Sequence, residues 1–158
     1  MASLEKLKKI KSTDYSSWAE KLWQLCVDSY PHGSPWSAAQ FQEDVMRESS
    51  HYLLYTDEEQ LIGFVSYQQV LDEADITHVV IEKNSQNQGY GKDMLLNTFR
   101  IWQENRLQKV FLEVRASNLS AQKVYNKLGF QCIHRRKNYY HHPQEDGLVM
   151  ELRIEEGD

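Results

Sequence analysis

The hydrophobic period of the chain changes near residue 51, and that change limits the folds open to it. Before it, Tyr15, Trp18, Leu22 and Leu25 recur at helical spacing. Ser37 and Gln40 then form an S-x-x-Q capping box ahead of a second inward stripe, Phe41, Val45 and Met46. After it, "HYLLYT", "QLIGFVSYQQV" and "ADITHVVIE" are rich in β-branched and aromatic residues and are separated by acidic turns, which predicts an antiparallel meander. Residues 4 to 11 predict an earlier first strand. Beyond the meander, Met94, Leu95, Thr98, Ile101 and Trp102 share one helical face, "KVFLEV" reads as a strand, and "NLSAQKVYNKLG" reads as a helix closed by Gly129. "FQCIHRRKNYY" and "LVMELRI" complete the pattern as two strands, so the expected class is α+β.

No repeat or linker divides the 158 residues, and a chain that is 41% hydrophobic and 26% charged can bury a continuous core, so residues 1–158 are read as a single domain. No apolar run approaches the roughly 18 residues of a membrane span, and "MASLEKLKKIKS" lacks the apolar segment of a signal peptide. A cytoplasmic protein without a membrane partner is expected. Cys26 and Cys132 lie in apolar-periodic segments and are read as two buried, reduced thiols. The net charge of −5 argues against direct nucleic-acid binding; it fits a cationic partner or simply a solvated surface. His134, His141 and His142 cluster in sequence, but no thiol or carboxylate spacing completes a metal site, so no metal is expected.

Two of the seven glycines, Gly89 and Gly91, fall in "NSQNQGYGKDMLLNTF", between a polar run and a helix start. They serve either a sharp turn or an anion, since the first amides of a helix have no intrahelical partner and face the positive end of its dipole. A dinucleotide fingerprint does not fit. Met94 stands at the third glycine position, and a meander leads into the loop where a βαβ unit is needed.

The run Gln86-Asn87-Gln88-Gly89-Tyr90-Gly91 resembles the Q/R-x-x-G-x-G/A pattern of the GNAT superfamily of N-acetyltransferases. A longer match, "FLEVRASNLSAQKVYNKLGFQCIHRRKNYY" with "EDGLVM", and the earlier "SPWSAAQF", resemble the ribosomal-protein-alanine N-acetyltransferases of that superfamily. The resemblance implies a mixed, mostly antiparallel sheet flanked by about four helices, and acetyl-CoA as co-substrate. Its pyrophosphate would be wrapped by the backbone of Gln86, Asn87, Gln88, Gly89, Tyr90, Gly91 and Lys92, with Val79, Ile81, Asn118 and Ala121 along the rest of the cofactor. Two positions depart from the family pattern: Asn87 replaces a common basic residue and Lys83 a common proline. Backbone binding tolerates both, and Lys92 is placed to restore the charge.

The acceptor implied by the resemblance is the terminal amine of a protein, an alanine-initiated protein of the small ribosomal subunit. Such an amine, with a pKa of ~7.7–8.0, must lose a proton before it attacks a thioester. Glu113 matches the family's general base and Tyr125 its general acid, which returns a proton to the departing thiolate. From the residues alone, Glu113 is equally an exposed strand carboxylate opposite Val110, Leu112 and Val114, whereas helical spacing by itself favours Tyr125 as a packed aromatic on the face of Asn118, Ala121 and Leu128, a preference that the resemblance reverses. Tyr139 and Tyr140 match acceptor-side tyrosines or form a strand-end pair. Trp36 either walls a peptide groove or pins its loop to the core. His78 is a second candidate base, because some members of the superfamily draw theirs from that strand. Related acetyltransferases acting on lysine or small amines, and non-catalytic acyl-CoA sensors, share much of this pattern; the sequence leaves the oligomeric state open.

Overall fold

The computed structural model describes residues 2–7 and 15–154. Of the strand expected over 4–11, β1 (Ser3–Lys6) is formed, and residues 8–11 lie outside the described residues. Helix α1 (Tyr15–Ser29) buries Ala19, Leu22 and Cys26, spaced to face one side. Helix α2 (Ala38–Val45) opens with the expected capping box: the Gln40 amide donates to Ser37 Oγ at 3.2 Å and the Ser37 amide donates to Gln40 Oε1 at 2.8 Å. Phe41 and Val45 turn inward. Met46, expected beside them, is instead 67% exposed, because the helix ends at Val45 and Met46 is already its C-cap.

The meander forms as β2 (Ser50–Asp57), β3 (Gln60–Val70) and β4 (Glu73–Ile81), each antiparallel to the last. Helix α3 (Tyr90–Glu104) then crosses the sheet to β5 (Lys109–Arg115), which runs parallel to β4. Helix α4 (Leu119–Leu128) starts at an Asn118 cap and ends at Gly129, whose φ of 108° is the left-handed conformation expected there. A hairpin of β6 (Gln131–His141) and β7 (Gln144–Arg153) finishes the sheet, whose order is β1-β2-β3-β4-β5-β7-β6. The sheet is therefore mixed, with one parallel neighbour pair among antiparallel ones, and four α-helices flank it among the described residues.

The helices divide between the two faces. On one, α3 and α4 pack against Leu53, Val65, Leu112 and Phe130, with Trp102 of α3 fully buried among them; on the other, α1 and α2 cover Leu54, Phe64 and Val80. Cys26 lies inside the second layer, where burial pushes its thiol up to about 12. Cys132 contradicts the expectation of burial. It is exposed, because β6 is an edge strand whose residues apart from Tyr140 are all exposed, so the apolar periodicity there faces no covering layer. No helix of the described residues is long and apolar enough to cross a membrane.

Candidate active site between β4 and β5

The parallel ladder between β4 and β5 runs only from Glu73↔Lys109 to Asp75↔Phe111. Beyond it β4 stays paired to β3 and β5 to β7, so the two strands part in the middle of the sheet. Thr77 adds a second device. Opposite β3, Ser66 pairs with His78 and Tyr67 with Ile76, which leaves Thr77 as a bulge. The bulge reverses the alternation: Ala74 and Ile76, then Val79 and Ile81, face the α3/α4 layer, while Val80 faces α1 and α2 and His78 packs against Phe41 of α2. A strand without the bulge would have put His78 on the Ile76 face.

The glycine loop ends where α3 begins. Gly89 is the N-cap with φ 84°, a conformation that favours glycine, and no side chain caps the helix. Its first amides are thus open to an outside acceptor. An added Cβ at Gly91 would meet only the Ile81 side chain, at an ordinary 3.7 Å, so the chain's own packing does not require glycine there. The loop is braced by its side chains, with Gln86 Nε2 donating to the Ile81 carbonyl at 2.9 Å and Gln88 Nε2 to that of Asn84 at 3.0 Å. Asn87 takes φ 63°, and Lys92 stands exposed in the first turn of α3. This donor set fits a pyrophosphate.

The polar groups of the site approach from three elements, α4, β5 and β6. Tyr125, half-buried on α4, packs on Phe130 with ring centroids 5.7 Å apart. Burial, and then the neighbouring Tyr140, raise its phenol to about 12. Asn118 uses its side-chain oxygen to accept from the Ala121 amide at 3.2 Å and from Ser120 Oγ at 3.3 Å, which leaves its side-chain amide nitrogen as the group to meet an outside ligand. Glu113 on β5 points away from buried Val110, Leu112 and Val114, and one oxygen lies 3.5 Å from the Arg136 guanidinium. A hydrogen bond to Glu113 heads the causes that raise the Tyr139 phenol. Tyr140 is pushed up to about 12 by burial and then by the Glu113 charge. Tyr140 thus stands within electrostatic reach of both Glu113 and Tyr125.

Glycine at 147 makes room for both Tyr139 and Tyr140. A Cβ there would lie 3.0 Å from Tyr139 Cδ2 and 3.2 Å from Tyr140 Cε2. The Arg115 guanidinium stacks over the Tyr140 ring at 4.3 Å and is itself held by Glu145 at 3.2 Å. Glu145 also accepts from the Ser117 amide at 2.9 Å, which ties β7 to the start of α4.

Sequence reasoning missed two groups. Tyr30, just past α1, has its phenol hydrogen-bonded by the Val79 backbone and feels both Tyr125 and Tyr140; burial is the main cause that holds its proton firmly. "SYPHGSPW" reads only as a loop, and a loop tyrosine has no periodic signature to mark it. Asp75, at the end of the β4–β5 ladder, is raised by desolvation and then by the Glu113 charge, a proximity that depends on the parallel register. Trp36 is half-buried, with its ring centroid 4.6 Å from that of His78 and 5.3 Å from that of Phe41. Among the described residues no group of three or more His, Cys, Asp or Glu side chains is arranged to hold a metal ion.

A sequence model of the acetyltransferase (GNAT) family matches residues 14–130. The chain is 34% identical over 133 residues to a [ribosomal protein bS18]-alanine N-acetyltransferase of Haemophilus ducreyi, covering 81% of this chain and 90% of that one. The crystal structure of the ribosomal-protein-S18-alanine N-acetyltransferase from Escherichia coli superposes with a TM-score of 0.86 at 26% identity, over 100% of this chain and 97% of that chain. A GNAT family acetyltransferase from Elizabethkingia anophelis with acetyl-CoA bound shares the fold, with a TM-score of 0.75 at 15% identity over 97% and 98% of the two chains. With the family model spanning residues 14–130 and a relative 34% identical covering 81% of its length, the chain belongs to the GNAT acetyltransferase family and is an acetyl-CoA-dependent acetyltransferase.

Proposed function

We propose that residues 1–158 form one cytoplasmic acetyltransferase domain that acetylates the terminal amine of a protein, an alanine-initiated small-subunit ribosomal protein of the bS18 type. The observation that carries this reading is that Tyr140 couples electrostatically both to Glu113, on the stretch of β5 beyond its ladder with β4, and to Tyr125. Glu113 takes the proton that the amine must lose, directly or through water. The new C–N bond forms as the thioester C–S bond breaks, Tyr125 gives its proton to the leaving sulfur, and the second proton that the nitrogen sheds on becoming an amide restores Tyr125 by way of water. A phenol carries its proton at neutral pH, and burial, raising Tyr125 to about 12, extends that range into alkali. Val79, Ile81, Gln86 to Lys92, Asn118 and Ala121 hold the co-substrate. Trp36, Tyr139 and Tyr140 enclose the first residues of the acceptor.

Two results are expected. Gly91→Trp fills the space in front of the α3 amides and should weaken acetyl-CoA binding at least ~10-fold, or about 1.4 kcal/mol, without unfolding the chain. Calorimetric titration checks the first point and circular dichroism the second; unchanged affinity in a folded variant would remove the loop from the site. The acceptor is decided by mass spectrometry after incubation with acetyl-CoA and a panel of terminal-amine peptides, lysine peptides and polyamines. Peptides beginning with alanine and followed by arginine or lysine should be preferred. A terminal amine near ~7.7–8.0 is far easier for one carboxylate to deprotonate than a lysine near ~10.4. A chain of net charge −5 attracts basic peptides, so the preference should shrink as salt rises. Label mainly on internal lysines, or better use of a free polyamine, would replace this acceptor with another.

A further inference from the structure

The proposed transfer gives His78 no role, although it lies beside Trp36 on the acceptor side. Its ring is 1% exposed. Nδ1 is 3.0 Å from Ser66 Oγ, and that oxygen is 2.7 Å from Thr77 Oγ1. Nε2 has no hydrogen-bonding partner among the described residues. What surrounds the imidazole is aromatic: Trp36 at 4.6 Å and perpendicular, Phe41 at 4.8 Å, Phe64 at 5.8 Å and Tyr30 at 6.5 Å between centroids. Burial also disfavours the charged ring, bringing it down to about 4 against the opposing pull of the Asp44 carboxylate.

The neutral ring has two tautomers, and its surroundings treat them differently. With the proton on Nδ1, His78 donates to Ser66 and turns a bare Nε2 lone pair toward rings whose faces are themselves negative. With the proton on Nε2, Thr77 donates to Ser66, Ser66 donates to Nδ1, and an N–H is left to meet a π face. The second arrangement pairs both hydroxyls and Nδ1 and leaves only an N–H to be placed, and Trp36 is the nearest ring and the perpendicular one.

We propose that His78 is held as the Nε2–H tautomer by the Thr77–Ser66 hydroxyl pair, directs that N–H at the Trp36 ring, and so positions Trp36 as the wall that recognises the first residues of the acceptor peptide. His78 is thus a positioning residue for acceptor specificity, which rests on the reading of Trp36 as that wall. The Thr77 bulge is what brings the imidazole to this face.

Nitrogen-15 NMR of the full chain tests the contact without substrate. A protonated Nε2, an unprotonated Nδ1, and an Hε2 resonance moved upfield by the Trp36 ring and released in Trp36→Leu are the expected results. A protonated Nδ1, or an Hε2 indifferent to Trp36→Leu, overturns the proposal. In the kinetic arm, His78→Phe should raise KM for an alanine-initiated basic peptide about fivefold, the scale of one such contact, with kcat and the KM for acetyl-CoA within about twofold. His78→Gln, which keeps an N–H near the place of Nε2, should recover most of the difference. An unchanged peptide KM overturns the specificity role. Should His78→Phe not fold, Ser66→Ala removes the hydroxyl that fixes the tautomer, and it should raise the same KM or the proposal fails. A chain that acetylates none of the terminal-amine peptides contradicts the acceptor reading, and the NMR arm then decides the His78–Trp36 contact alone.

Discussion

Tyr125→Phe should keep acetyl-CoA binding and lower turnover by roughly 10²–10⁴, the range for loss of a general acid or base. The upper end corresponds to about 5.4 kcal/mol of transition-state stabilisation. A phenyl ring retains the packing against Phe130, so the change isolates the hydroxyl. The pH dependence gives an independent check. A phenol raised to about 12 keeps its proton below that value, so the acid form is present throughout the neutral and mildly alkaline range. The rate should therefore rise as the terminal amine deprotonates near pH ~7.7–8.0 and then stay level to about pH 10. The Phe variant should follow the same rise at a lower level. Turnover within about threefold of the parent would make Tyr125 a packed aromatic and leave the thiolate to depart unaided.

Glu113→Gln is the second large effect. The amide keeps the shape of the side chain while removing both the base and the charge that faces Arg136 at 3.5 Å. Turnover with an alanine-initiated peptide should fall by roughly 10²–10⁴, with the KM for acetyl-CoA nearly unchanged. Raising the pH from about 7 to 9 should recover part of the loss, because the amine then reaches the site already neutral. Folding should survive, since the ion pair is 31% and 48% exposed at its two side chains, and such pairs contribute only ~0–1 kcal/mol. Steady-state kinetics across pH, with a melting curve beside them, check all three points. A loss confined to peptide KM would assign Glu113 to binding; no loss would leave it a strand-surface carboxylate.

Much of the frame was legible because local chemistry is written in local spacing. The Ser37 box, the Gly129 cap and the inward faces of α1 and α3 each depend on residues three or four apart, and each forms. The glycine loop was legible for the same reason: a glycine before a helix start leaves amides unpaired wherever the rest of the chain goes. Local pattern failed where burial depends on a neighbour from elsewhere. Cys132 and Met46 satisfy an apolar period, yet one lies on an edge strand with no layer over it and the other just beyond the end of its helix.

The sequence by itself determined the elements, their order and the residue types able to perform a proton transfer, because propensity, capping and hydrophobic period act over a few residues. Only the tertiary structure decided which of those residues meet. The parallel register of β4 and β5 ends at Asp75 and Phe111 and opens the sheet. The Thr77 bulge turns His78 to one face and Val79 to the other. Gly147 lets Tyr139 and Tyr140 fold over β7 toward Glu113. Tyr30, from a loop far away in the chain, reaches the Val79 backbone. Each of these is a contact between segments distant in sequence, set by strand pairing and layer packing, and no spacing along the chain encodes it.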